Sequence, residues 1–213
     1  MNRYLTEFIG TFFLVLTIGL TVVAGTALAP LAIGCSLMIM VYMGGHVSGA
    51  HYNPAVSLAV LLRGKLDAKD FVPYVVVQVA GALCAALVVK FLLGQTFAPA
   101  PGEGVDVVQA LLAEALYTFA LCLVFLNVAT ADKTAGNSFY GLAIGFTIVV
   151  AAFSAGPISG GAFNPAVGVG PTIINGALGE GSFSNLWIYL VGPFAGAVVA
   201  ALVFRIQDSE SDA

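Results

Sequence analysis

The chain has 213 residues, 60% of them hydrophobic and only 8% charged, with a net charge of −4; a soluble domain carries roughly a quarter charged residues. So few charges cannot cover the wet surface a soluble domain of this size keeps, so lipid is the expected neighbour. No basic cluster suggests nucleic acid, and Cys35, Cys84 and Cys122, scattered in apolar runs, suit packing rather than a disulfide framework or a metal site.

Runs of about 20 apolar residues have the length that crosses a bilayer. Six are expected: residues 4–26, 31–47, 71–93, 107–129, 139–156 and 186–206, the second and fifth short for full crossings. Glu7 lies within the first and no convincing cleavage site follows it, so it is expected to be a retained span. Residues 54–62 and 165–174 are apolar but far too short to cross, which predicts re-entrant or interfacial segments. The Pro/Gly-rich residues 94–106 are the expected extracellular connection between two halves, and residues 207–213 the cytoplasmic tail, its acidic stretch from Asp208 to Ala213 expected to be disordered.

Six spans put both termini on one face. Arg3, Arg63, Lys65, Lys69, Lys133 and Arg205 gather there, and Lys90 stands on the other. By the positive-inside rule that face is expected to be cytoplasmic, and the same distribution of basic residues supports a plasma (inner) membrane.

The chain repeats itself. Ser48-Gly49-Ala50-His51-Tyr52-Asn53-Pro54-Ala55-Val56 returns as Ser159-Gly160-Gly161-Ala162-Phe163-Asn164-Pro165-Ala166-Val167, an offset of 164 − 53 = 111. Glu7 is echoed by Glu114 (114 − 7 = 107), and Gly81-Ala82 by Gly196-Ala197 (196 − 81 = 115). Residues 1–93 and 107–206 are therefore two copies of one unit within a single domain of residues 1–213. Each copy has three spans, so the second must be inverted, and its equivalent loop meets the first near the midplane.

Asn is among the best N-cap residues and Pro is favoured at the first helical position, so Asn53-Pro54-Ala55 and Asn164-Pro165-Ala166 each predict the start of a half-helix inside the membrane. Those helices are expected to stop at Arg63-Gly64 and Asn175-Gly176. Their N-termini would present about half a positive charge apiece. The preceding stretches, Gly49-Ala50-His51-Tyr52 and Gly160-Gly161-Ala162-Phe163, are poorly helical, and such backbone is tolerated at membrane depth only against protein or a water-filled cavity. Their carbonyls would form a ladder of acceptors, with the two Asn amides as donors. Water, ammonia, small polyols and urea all suit such a path.

From Glu7 to about Phe204 the chain resembles the aquaporin and aquaglyceroporin family, most closely in Gly45-His46-Val47-Ser48-Gly49 leading to Asn53-Pro54-Ala55-Val56. The resemblance implies an all-α membrane protein with six transmembrane helices, two re-entrant half-helices and an inverted 3+3 repeat. It also implies a homotetramer with one pore per protomer, in which Asn53 and Asn164 orient passing water and interrupt proton hopping.

By the same resemblance Ile33, Ala152, Gly161 and Val167 occupy the selectivity filter, where relatives place an Arg at the position of Val167. Glu7 and Glu114 would hold the backbone amides of the two loops. His46 would stand at the cytoplasmic mouth as a pore-lining residue. All four filter residues are apolar, so the hydrogen-bond donor and cation repulsion of the Arg are missing. Ala and Gly predict a wider constriction unless Phe153 or Phe163 fills it. Gly168 replaces the Asp common in glycerol-conducting members.

The expected activity is a passive channel for water and small neutral solutes with a wide apolar filter. The alternatives are a conduit for ammonia, hydrogen peroxide or a similar molecule with poor water flow, or a closed-pore structural or adhesion protein. No nucleophile–base pair or metal-ligand cluster suggests an enzyme, and no cofactor is expected.

Overall fold

The computed structural model describes residues 2–179 and 181–209. Among them the chain forms eight α-helices: α1 (Asn2–Val23), α2 (Ala29–Ser48), α3 (Pro54–Arg63), α4 (Ala68–Leu93), α5 (Val107–Ala129), α6 (Tyr140–Ser159), α7 (Pro165–Leu178) and α8 (Ile188–Ser209). A single 3-10 turn spans Asp132–Thr134, and no strand occurs among the described residues. Six of the helices are long and apolar enough to cross a membrane.

Helix limits follow local chemistry in most places. Asp106 and Gln109 form a reciprocal capping box that starts α5 at the expected residue. Gly64, at φ 80°, ends α3 in the left-handed conformation that favours glycine.

Three expectations are corrected. Helices α2 and α6 have 20 residues each, long enough for full crossings. Pro30 falls in the first turn of α2, where its missing N–H costs nothing, and Pro157 lies within the last turn of α6 without ending it. Helix α7 runs through Asn175-Gly176 to Leu178. Asn175 is held there by Thr96, which donates to its side chain at 2.6 Å, and a Cβ on Gly176 would strike the Phe183 ring. That glycine serves close packing rather than a stop. The expected disordered stretch begins too early: Asp208 and Ser209 belong to α8, and Asp208 pairs with Arg63 at 2.9 Å. Residues 210–213 lie outside the described residues.

The packing has two-fold character. Helix α1 lies against α4, α5 against α8, and α2 against α6 across the halves. Each short helix packs on the last helix of the opposite half, α3 on α8 and α7 on α4. A Cβ added to Gly34 would sit 2.5 Å from the Gly145 carbonyl oxygen, and one on Gly145 would sit 2.5 Å from that of Gly34. These glycines are 145 − 34 = 111 residues apart, the spacing of the two Asn-Pro-Ala segments. Mutual contact between equivalent residues marks a pseudo-two-fold axis running between α2 and α6.

No span is more than half buried within the chain, 33–50% by helix. The outer faces carry exposed Leu5, Phe13, Ile39, Phe146 and Val150, the pattern of helices solvated by lipid.

Candidate functional site

Each Asn-Pro-Ala loop hangs from a buried glutamate. Glu7, 0% exposed, accepts from Ser48 Oγ (2.6 Å) and the His51 amide (2.9 Å) on Oε1. Its Oε2 accepts from the Tyr52 amide (2.7 Å) and Gln78 Nε2 (2.9 Å). Glu114, also 0% exposed, repeats the arrangement with Ser159 Oγ (2.7 Å), the Ala162 amide (3.0 Å) and the Phe163 amide (2.6 Å). Buried carboxylates are tolerated when several donors replace water, and here they satisfy loop amides that no helix could. Neither glutamate lines either of the two cavities that flank the paired asparagines.

That anchoring offsets backbone strain. Ala50, Tyr52 and Phe163 hold positive φ values of 54°, 50° and 48°. For residues with a Cβ this costs about 1–3 kcal/mol each. The strained turns aim the carbonyls of Tyr52 and Phe163 at the opposite loop. Asn53 Nδ2 donates to the Phe163 carbonyl and Asn164 Nδ2 to that of Tyr52, both at 2.9 Å. Each Asn oxygen meanwhile caps its own helix, accepting from the amide of Ala55 (2.8 Å) or Ala166 (2.9 Å). Every Asn amide keeps one further hydrogen, at the wall of the cavity both residues line. Pro54, Ala55, Pro165 and Ala166 are buried behind them.

Two cavities flank this pair. The distal one, away from the termini, has a volume of about 400 Å³. Ile33, Ala152, Gly161 and Val167 all line it, together with Gly160, Ala162, Phe163, Tyr52 and both asparagines. Apart from His51, the rest of its wall is apolar, with Leu14, Ile18, Val56 and Ile148 among its members. Phe153 does not narrow it, being 52% exposed on the outer surface; Phe163 does line it, its ring 5.7 Å from that of Tyr117.

The second cavity, on the face that bears the termini, measures about 810 Å³ and is more polar. His46 and Gly49 line it beside Arg3, Lys65, Asp67 and Asp132. His51 lines both cavities, whereas Ala50 is 0% exposed and lines neither. No group of three metal-ligating side chains occurs among the described residues.

The family pattern described as Major intrinsic protein matches residues 1–204. The chain belongs to the major intrinsic protein family. It is 39% identical to the glycerol uptake facilitator protein-like 6 of Lactiplantibacillus plantarum, over 99% of this chain and 100% of that protein. It is 37% identical to aquaporin NIP1-4 of Oryza sativa subsp. japonica, covering 97% and 77% of the two chains. The X-ray structure of the aquaglyceroporin from Plasmodium falciparum superposes with a TM-score of 0.85 at 25% identity, over 95% of this chain and 94% of that one. This major intrinsic protein is thus an integral membrane channel of the aquaporin and glycerol-facilitator kind, for water and small neutral solutes, and not an enzyme.

Several residues that build the channel site escape a reading of the sequence alone. Tyr74 donates to the Ser48 carbonyl at 2.7 Å and Tyr189 to that of Ser159 at 2.6 Å, clamping both loops. These tyrosines recur at 189 − 74 = 115, the offset of the downstream repeat, which is the signal that could have found them. Gln78 reaches Glu7 and Ser57 (3.0 Å) and stands alone as an amide within an apolar span. Ala98, Pro99 and Ala100 of the connecting segment close over the distal cavity, and no local pattern announces that.

Proposed function

We propose that this protein is a passive conduit with a wide apolar filter that passes small neutral solutes as well as water. One path runs through each protomer of a homotetramer in the plasma (inner) membrane, with both termini in the cytoplasm. The distal cavity carries this reading. Its volume of about 400 Å³ is bounded at the filter positions by Ile33, Ala152, Gly161 and Val167; at about 30 Å³ per water it has room for roughly ten or more. Solutes larger than water fit, in keeping with the relatives named as a glycerol uptake facilitator and an aquaglyceroporin.

Neutrality follows from electrostatics. Helices α3 and α7 point their positive ends at the shared midpoint, which disfavours cations. Asn53 and Asn164 offer amide hydrogens to a permeant oxygen, and the Gly160 and Gly161 stretch supplies backbone acceptors at the same wall. With Glu7 and Glu114 saturated by loop donors, no carboxylate among the described residues lines the distal cavity to couple an ion. Arg3, Arg63, Lys65, Lys69, Lys133 and Arg205 support the cytoplasmic assignment of the terminal face. The half-exposed apolar spans support assembly with further protomers.

Stopped-flow light scattering on proteoliposomes tests the reading. The wild type should accelerate osmotic water flow and glycerol or urea uptake, and Val167→Arg should narrow transport towards water. Rates no faster than those of protein-free vesicles for every solute would refute it. The apolar wall also favours a second reading in which water wets the cavity poorly. Slow water flow with rapid ammonia or hydrogen peroxide uptake would mark that case.

A further inference from the structure

The two cavities meet at three side chains. His51, Phe125 and Ile144 belong to both linings, whereas Ile33, Ala152, Gly161 and Val167 belong to the distal cavity alone. The four filter positions thus line one void of about 400 Å³, and that void adjoins the second one only at His51, Phe125 and Ile144. At the junction Phe125 and Ile144 are each 2% exposed and His51 is 5% exposed. The Phe125 ring stands edge-on to the imidazole, with centroids 5.7 Å apart and planes at 86°. The imidazole is not free to swing aside. Its Nδ1 lies 3.1 Å from Ser57 Oγ, and the Tyr74 ring flanks it at 5.1 Å.

The internal repeat shows what sets this junction apart. Ile33 and Ile144 are 111 residues apart, next to the mutually contacting Gly34 and Gly145, and His51 and Ala162 share that offset. Ile18 and Phe125 differ by 107, the offset of Glu7 and Glu114. The ring of His51, Phe125 and Ile144 is therefore the pseudo-two-fold counterpart of Ala162, Ile18 and Ile33 in the distal cavity. The two frames are equivalent, but one holds His and Phe where the other holds Ala and Ile.

Resting on the conduit reading above, we infer that solute size is selected by the ring of His51, Phe125 and Ile144, on the terminal side of the paired asparagines, and not by the four filter positions. Slender neutral solutes of glycerol size pass the Phe125 edge, and longer polyols are held back in the distal cavity. Phe125 and Ile144 are then specificity-determining residues that contribute no polar group.

The test measures glycerol, erythritol and xylitol uptake into proteoliposomes of the full chain. The variants are Phe125→Ala, Phe125→Leu, Ile144→Ala and Val167→Ala. Phe125→Leu keeps a large apolar side chain in the core, should Phe125→Ala fail to assemble. The erythritol-to-glycerol ratio should rise by about tenfold in Phe125→Ala, the factor given by about 1.4 kcal/mol off a barrier. A smaller rise is expected in Phe125→Leu and Ile144→Ala, and the smallest in Val167→Ala. A larger rise in Val167→Ala than in the Phe125 and Ile144 variants would overturn the inference and leave the conduit reading intact. Failure of the folded wild type and all folded variants to pass water or any polyol would instead defeat the conduit reading, and the inference with it.

Discussion

Replacing Glu114 by Gln separates a positioning role from proton transfer. The carboxylate takes Ser159 Oγ and the Ala162 amide on Oε1 and the Phe163 amide on Oε2. A glutamine matches its shape but has one acceptor oxygen. Placed at the Oε1 site, that oxygen leaves the Phe163 N–H facing an NH2 group; placed at the Oε2 site, it leaves the Ala162 N–H so. Either orientation strands one buried backbone donor, at a cost of about 1–3 kcal/mol. Glu114→Ala strands both, about 2–6 kcal/mol before the void is counted. Phe163 also holds a φ of 48° that the hydrogen bond from its N–H to Glu114 helps maintain, so the loop relaxes and the Asn164 cap moves with it. The assay is the unfolding midpoint of purified protein, paired with osmotic water flow with and without an imposed pH gradient. Stability and water flow should fall together from wild type to Glu114→Gln to Glu114→Ala, with no dependence on the gradient. Wild-type uptake driven by the pH gradient, abolished in Glu114→Gln at an unchanged midpoint, would refute the positioning account.

Tyr74→Phe and Tyr189→Phe each remove one hydroxyl from a loop carbonyl and should cost about 1 kcal/mol apiece in unfolding experiments. The pair should be close to additive, because the tyrosines clamp different loops. Asn53→Asp keeps an oxygen to cap the Ala55 amide but loses the donor to the Phe163 carbonyl. Water flow should drop and a cation current should appear in planar bilayers; unaltered water flow without current would contradict the donor role. Gly145→Ala forces a methyl to within 2.5 Å of the Gly34 carbonyl, and should destabilise the protein by about 1–3 kcal/mol on thermal unfolding as α2 and α6 separate.

Much of this protein is legible locally. The spans announce themselves by composition, because lipid admits only long apolar helices with every backbone group satisfied. Asn53-Pro54 and Asn164-Pro165 mark helix starts because capping needs only the next few residues, and both caps form in the structure. The inverted repeat follows from spacing, and the mutual approach of Gly34 and Gly145 is its geometric expression. Local reading fails where a distant contact decides. Gly176 reads as a helix stop, yet α7 continues because Phe183 packs against that glycine and Thr96 holds Asn175.

The sequence by itself determined the number of crossings, their pairing into two inverted halves and the two points where helices begin inside the membrane. Each depends on composition, periodicity or neighbouring residues. Tertiary structure alone decided that each Asn amide meets the other loop's carbonyl, that Tyr74 and Tyr189 clamp the loops, and that Phe125 lines both cavities whereas Val167 lines one. Those outcomes join residues from opposite halves or separate helices. Where such side chains meet depends on how the helices pack, and no local stretch of sequence encodes that.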